Sequence, residues 1–169
     1  MQSMESVSVL MVCMGNICRS PMAEARMRHL VEKAGLADRV RVDSAGTHSY
    51  HLGHEPHPET QAELARRGIE VGDQRSRLVT ADDLATFDHV VAMDQANFEE
   101  LQSIAASIGD EDVVVARISL LLEHAEELPG DHGSEVPDPY YVGGYDRVYD
   151  LVDAGCIGLL AVIEADLDR

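Results

Sequence analysis

The sequence predicts an α/β fold: a parallel sheet with right-handed crossovers and helices on both faces. Three observations carry this. Short apolar runs of strand length alternate with longer runs of helical spacing. The 169 residues, 45% of them hydrophobic, suffice for one domain with a real core. A loop from Cys13 to Arg19 follows the first apolar run, and parallel sheets bind ligands beyond the carboxyl ends of their strands.

Val7–Val12 (VSVLMV) reads as a buried strand. Ser20 is placed to cap the next helix, with Pro21 at its first position, and Ala23, Met27, Leu30, Val31 and Ala34 keep helical spacing up to Gly35. Val40–Val42 reads as a second strand. Residues 44–58 hold two glycines and two prolines and read as loop. A helix runs from about Pro58 to Arg67 and ends at Gly68. Thr80 caps a further helix start. His89–Met93 is a third strand, Asp94 caps a helix with Phe98, Leu101, Ala105 and Ile108 inward, and Asp112–Ala116 (DVVVA) is a fourth strand. After a polar stretch, 123–139, a last helix carries a long apolar face from Tyr145 to Ile163.

The net charge is −18, and Lys33 is the only lysine. That balance argues against nucleic acid and anionic membranes as partners, because phosphate backbones need a positive footprint. No apolar run approaches the ~18 residues of a membrane span. Three cysteines are too few, and odd in number, for a disulfide scaffold, and the N-terminus carries no signal-peptide pattern. A cytoplasmic location is expected, with secretion lacking a signal peptide not excluded.

The chemistry concentrates in Cys13-Met14-Gly15-Asn16-Ile17-Cys18-Arg19, followed by Ser20. Successive N–H groups curled at a helix N-terminus make an anion nest. Arg19 can grip two oxygens of a phosphoryl group through parallel hydrogen bonds. The same positive surroundings favour a thiolate at Cys13, and Ser20 can donate a hydrogen bond to it. Gly15 and Asn16 suit unusual backbone angles. The competing reading is a structural cysteine beside a surface arginine; the strand before and the Ser-Pro helix start after weigh against it. Zinc is disfavoured because Cys13 and Cys18 lack a second ligand pair. Phosphoryl transfer to a thiolate needs a proton donor for the leaving oxygen, and Asp138, held between Pro137 and Pro139, is the best candidate. Tyr140 and Tyr141 follow it and can wall a slot for an aryl group.

These residues resemble a low-molecular-weight protein tyrosine phosphatase. Cys13-x4-Cys18-Arg19-Ser20 and Asp138-Pro139-Tyr140-Tyr141 carry the likeness, with Ser20-Pro-Met-Ala-Glu24, Asp43-Ser44-Ala-Gly46, Phe87-Asp88 and Ala92-Met93-Asp94. The resemblance implies a single domain over 1–169, Rossmann-like, with a four-stranded parallel sheet of the phosphotyrosine phosphatase I type. It implies phosphotyrosine hydrolysis through a phosphocysteine on Cys13, with Arg19 clamping phosphate and Asp138 as general acid and then base. Met14, Gly15, Asn16, Ile17, Cys18 and Ser20 would line the phosphate loop, and Tyr50, Tyr140 and Tyr141 the entrance. Cys18 would form a reversible disulfide that protects Cys13. Ser44 and Gln74 would support the loop; the family commonly has a His where Gln74 stands, and Gln cannot titrate near neutral pH. No cofactor or metal is expected. The expected partners are phosphotyrosine-containing proteins, with inorganic phosphate or other oxyanions in the loop, and a monomer is expected.

Two relatives share the loop. Arsenate reductases of this fold need further cysteines, and Cys156, on the apolar face of the last helix, reads as a core thiol. Arginine phosphatases usually place Thr where Ile17 stands and have fewer aromatics after the Asp-Pro. A phosphoryl-binding module without catalysis is a third alternative. His48, His51, His54 and His57 recur every third residue, and exposed loop histidines are the favoured reading over a metal site.

Overall fold

A computed structural model of the chain describes residues 5–110, 113–128 and 133–168. Strands β1 (Val7–Cys13), β2 (Val40–Gly46), β3 (His89–Ala92) and β4 (Arg117–Leu120) pair in parallel, in the order β2-β1-β3-β4. The helices are α1 (Arg19–Lys33), α2 (Pro58–Arg66), α3 (Ala81–Thr86), α4 (Gln95–Ile108), α5 (Pro139–Val142) and α6 (Tyr145–Leu167).

β1 is an inner strand, so its side chains are buried on both faces, which is why it reads as an unbroken apolar run. The two-residue period divides them. Val7, Val9, Met11 and Cys13 join one core with α1 and α6; Leu10 and Val12 join the other with Leu84, Phe87 and Leu101. Each fully buried Leu or Met contributes about 1.5–3 kcal/mol. The face of α6 runs through Tyr145, Val148, Val152, Cys156, Leu159 and Ile163 against α1 and the turn at 121–124.

Thr80 and Asp94 cap α3 and α4 as expected, Thr80 in a capping box with Asp83. Three local expectations are corrected. α1 begins at Arg19 with Cys18 as its N-cap and no capping side chain, because the Ser20 hydroxyl is engaged by Asn16 and Cys13 instead. β2 continues through Ser44 to Gly46, since the whole segment pairs with β1 up to Cys13. The fourth strand is 117–120, not 112–116. The Val115 and Ala116 N–H groups both bond to the Leu84 carbonyl, and β3 pairs with the residues that follow; Asp112 lies outside the described residues. The polar stretch expected at 123–139 is described except for 129–132, as is the N-terminal segment except for 1–4.

Candidate active site

The loop between β1 and α1 closes around its own amides. Its carbonyls are drawn outward: Cys13 O accepts from Thr47 N–H (3.0 Å), Met14 O from His48 N–H (2.9 Å) and Ile17 O from His57 N–H (2.7 Å). Gly15 O accepts from the Ser76 hydroxyl (3.0 Å) and Cys18 O from that of Thr60 (3.3 Å). Among the described residues, no N–H of Met14 to Arg19 bonds to a carbonyl outside its own helix or strand. Carbonyls out and amides unpaired is the arrangement of an anion nest, and α1 adds its dipole. Asn16 turns the loop with φ 57°, a left-handed angle that Asn tolerates better than most residues. Gly46 must lack a side chain, because a Cβ there would sit 2.7 Å from Met14 O.

Asn16 is fully buried, and all the hydrogen-bonding capacity of its side-chain amide is used. Nδ2 donates to Ser20 Oγ (2.8 Å) and Ser44 Oγ (3.0 Å). Oδ1 accepts from Gln74 Nε2 (3.1 Å) and Arg77 N–H (3.0 Å). The directions of the neighbouring bonds follow. Ser44 accepts from Asn16 and donates to the Glu24 carboxylate at 2.6 Å. Ser20 accepts from Asn16, so its own proton is left for Cys13 Sγ at 3.1 Å, with Ala45 O a longer second acceptor at 3.4 Å. Burial raises the Glu24 carboxyl above its usual range, against the pull of Ser44 and Arg28. Ser44 and Gln74 thus hold the loop from below through Asn16. Asn16 and Ser20 lie beneath the slot and do not line it.

Arg19 is 2% exposed. It donates to Asp94 (2.6 Å), Val136 O (3.0 Å) and Asp138 (3.3 Å). Burial opposes its charge; the negative charges of Cys13, Asp138 and Asp94 outweigh this and hold it above its ordinary pKa. Its Nε–H is buried and has no partner among the described residues. Such a donor is costly unless a ligand supplies the acceptor. Asp138 caps α5 through Tyr140 N–H (3.1 Å) while its other oxygen faces Arg19.

Above the loop lies a slot of about 280 Å³ lined by Cys13, Met14, Gly15, Ile17, Cys18, Arg19, His51, Asp138, Tyr140 and Tyr141. Larger hollows exist, one of about 820 Å³ beside β2, but it holds no thiol. Tyr140 and Tyr141 meet edge to face at 5.2 Å, and His51 tilts against Tyr140 at 5.6 Å. Tyr50 is outside this wall, 69% exposed and stacked on His48 at 5.5 Å. Of the four periodic histidines, His48 and His54 are exposed, but His51 and His57 are half-buried, because the loop folds back on Tyr140 and Tyr145. No cluster of three or more His, Cys, Asp and Glu side chains among the described residues is placed to hold a metal. Sequence reasoning missed Asp94 and His51 as site residues. Asp94 is legible as a helix cap and as part of the resembling run Ala92-Met93-Asp94, and its place just after β3, beside β1, is the signal for a site role.

A thiol in an amide nest, with a buried arginine and a capping aspartate beside it, is an arrangement suited to holding a phosphoryl group. Residues 8–169 match the family model of the low molecular weight phosphotyrosine protein phosphatases, and the chain belongs to that family. It is 42% identical to the low molecular weight protein-tyrosine-phosphatase YfkJ of Bacillus subtilis, over 95% of this chain and 97% of that one. The crystal structure of YfkJ superposes with a TM-score of 0.85 over 95% of this chain and 96% of that one. PtpA of Staphylococcus aureus is 39% identical over 95% of this chain and 96% of its own. The Drosophila arginine phosphatase DARP is 35% identical, with a TM-score of 0.82 over 91% of this chain and 96% of that one. No helix among the described residues is long and apolar enough to cross a membrane.

Proposed function

We propose that the chain hydrolyses phosphotyrosine and small aryl phosphates through a phosphocysteine on Cys13. The observation that carries this is the buried Arg19 Nε–H, which has no partner among the described residues, together with loop amides that reach no carbonyl outside their own helix or strand there, in a slot that also holds a thiol. The amides and Arg19 bind three phosphate oxygens and favour the charge that spreads over them in the transition state. Ser20 donates to the Cys13 thiolate, which attacks phosphorus as the aryl oxygen leaves. Asp138 gives that oxygen its proton, then takes one from the water that cleaves the phosphocysteine. Met14, His51, Tyr140 and Tyr141 flank the aryl ring. The wall of Tyr140, Tyr141 and His51 favours an aryl ester over phosphoserine. Cys18 lines the same slot and would guard Cys13 by a reversible disulfide.

The likeness to an arginine phosphatase keeps phosphoarginine as a second reading, against which stand Ile17 and the paired tyrosines. Arsenate reduction is disfavoured: Cys156 is fully buried in α6, bonded to Ala23 O, and burial pushes its thiol far up. We place the protein in the cytoplasm, where its three free, buried thiols fit a reducing milieu, and take residues 1–169 to act as one monomeric domain. The test is turnover of phosphotyrosine, phosphoarginine and arsenate by one preparation. Phosphotyrosine should be the preferred substrate; preference for phosphoarginine would overturn the assignment. Cys13→Ser should abolish turnover and keep vanadate binding.

A further inference from the structure

Cys18 does not simply rest in the loop. It is 3% exposed, and its Sγ lies 3.4 Å from the hydroxyl of Tyr145, the first residue of α6. That hydroxyl lies 3.3 Å from His57 Nδ1, and the two rings stack at 5.5 Å and 20°. His57 Nδ1 also accepts from the Glu59 backbone N–H at 3.1 Å, capping α2. A backbone N–H can only donate, so Nδ1 carries a lone pair and the neutral ring holds its proton on Nε2. Nδ1 cannot donate, so Tyr145 is the donor in that contact and shares the one Nδ1 lone pair with the Glu59 N–H, and its oxygen is left to accept from the Cys18 thiol. The chain has one direction: S–H to O–H to imidazole nitrogen. It starts in the dry interior and ends at a half-buried ring that meets solvent.

We propose that Tyr145 and His57 form a proton relay that takes the thiol proton from Cys18 as it closes a disulfide on an oxidised Cys13. The proposal rests on the reading of Cys18 as guard of the nucleophile. Hydrogen peroxide first oxidises the Cys13 thiolate: a sulfur–oxygen bond forms, the peroxide O–O bond breaks, hydroxide leaves, and Cys13 becomes a sulfenic acid. Cys18 sulfur then attacks Cys13 sulfur. The S–S bond forms and the S–O bond breaks. The Cys18 proton moves to the Tyr145 oxygen while the Tyr145 proton moves to His57 Nδ1, which releases the Glu59 N–H until the ring gives up its Nε2 proton. The departing hydroxide becomes water with one proton, which His57 releases through solvent.

The relay is needed because burial pushes the Cys18 thiol up to about 11, with the charges of Cys13 and Asp138 adding and the Tyr145 hydroxyl, which can turn to face a thiolate, opposing. Such a thiol is almost wholly protonated near neutral pH and attacks slowly without a base. The other groups facing the chain are Glu59 of α2, Asp138 at the start of α5, and the Tyr140 ring edge on His57 at 6.0 Å. Neither Tyr145 nor His57 lines the slot, so basal turnover does not depend on the relay.

The test treats the full-length protein with hydrogen peroxide at pH 7 and follows intact mass, separating disulfide (two hydrogens lost) from sulfinic acid (two oxygens gained). Tyr145→Phe keeps the ring and removes the hydroxyl. His57→Asn keeps a good helix cap and removes the base. Both should retain wild-type kcat/KM on an aryl phosphate. Both should close the disulfide about a hundredfold more slowly, yield more sulfinic acid and recover less activity with dithiothreitol. Raising the pH toward 11 should bring their rates up to that of wild type. Closure at the wild-type rate in either variant overturns the relay alone. Absence of disulfide in wild type, with the same products from Cys18→Ser, overturns the guard reading beneath it.

Discussion

Asn16 concentrates the consequences of this design in one side chain. Asn16→Ala removes four hydrogen bonds. Ser20 and Ser44 keep other acceptors in Cys13 and Glu24, so only Gln74 Nε2 and the Arg77 N–H are orphaned. At about 1 kcal/mol net per bond, plus about 1 kcal/mol for alanine in a left-handed angle, the loss of stability is about 3–5 kcal/mol. Asn16→Asp separates stability from catalysis. It keeps both acceptor contacts and tolerates the φ of 57°, so it should lose roughly half as much. Yet its second oxygen replaces the donor beside Ser20, and the Ser20 proton turns from Cys13 to the new carboxylate. Losing a charge-assisted bond to the thiolate, about 1.5–3 kcal/mol, lowers kcat/KM by roughly 10- to 100-fold. Urea unfolding and aryl phosphate turnover on the same samples measure the two effects. Wild-type kcat/KM in Asn16→Asp, or a wild-type urea midpoint in Asn16→Ala, would refute the bond directions assigned here.

Asp138→Ala should lose most activity, and least for esters whose leaving groups need no proton; an equal loss across a leaving-group series would remove Asp138 from the acid role. Turnover should survive EDTA, and a loss restored by added metal would reopen the histidine loop as a metal site. His89, 2% exposed on β3, is held below the usual His pKa by burial and then by Arg117, against the pull of Asp166. Its folded pKa is depressed, so the stability it contributes is full above pH about 6.5 and is lost as pH falls from there, where the unfolded chain takes a proton that the folded one refuses. Urea titrations of wild type and His89→Gln at pH 7.5, 6 and 5 should show the smaller acid loss in the variant; parallel losses would place the titration elsewhere, with His124 the next candidate.

How much was legible depended on how local each feature is. Cys13, Arg19 and Ser20 fall within eight residues, so the chemistry of the loop could be read from spacing. Thr80 and Asp94 announced their helices because a cap acts within three residues of itself. β1 and β3 were legible because inner strands are apolar on both faces. The fourth strand was displaced because an apolar run does not say which of its residues will pair. That choice fell to the Leu84 carbonyl, which takes the N–H groups of Val115 and Ala116, and to the register that sets Leu120 beside Ala92.

The sequence by itself determined the class of chemistry: a thiol, a guanidinium and amides around one anion, with an aspartate supplied from the far end of the chain. Tertiary structure decided how those groups are poised. Asp94 grips Arg19 from 75 residues away, Glu24 and Ser44 orient Asn16, and Gln74 holds it without a titrating group. Tyr145 reaches back 127 residues to Cys18. Hydrogen-bond direction depends on which donors and acceptors meet, and only folding brings them together.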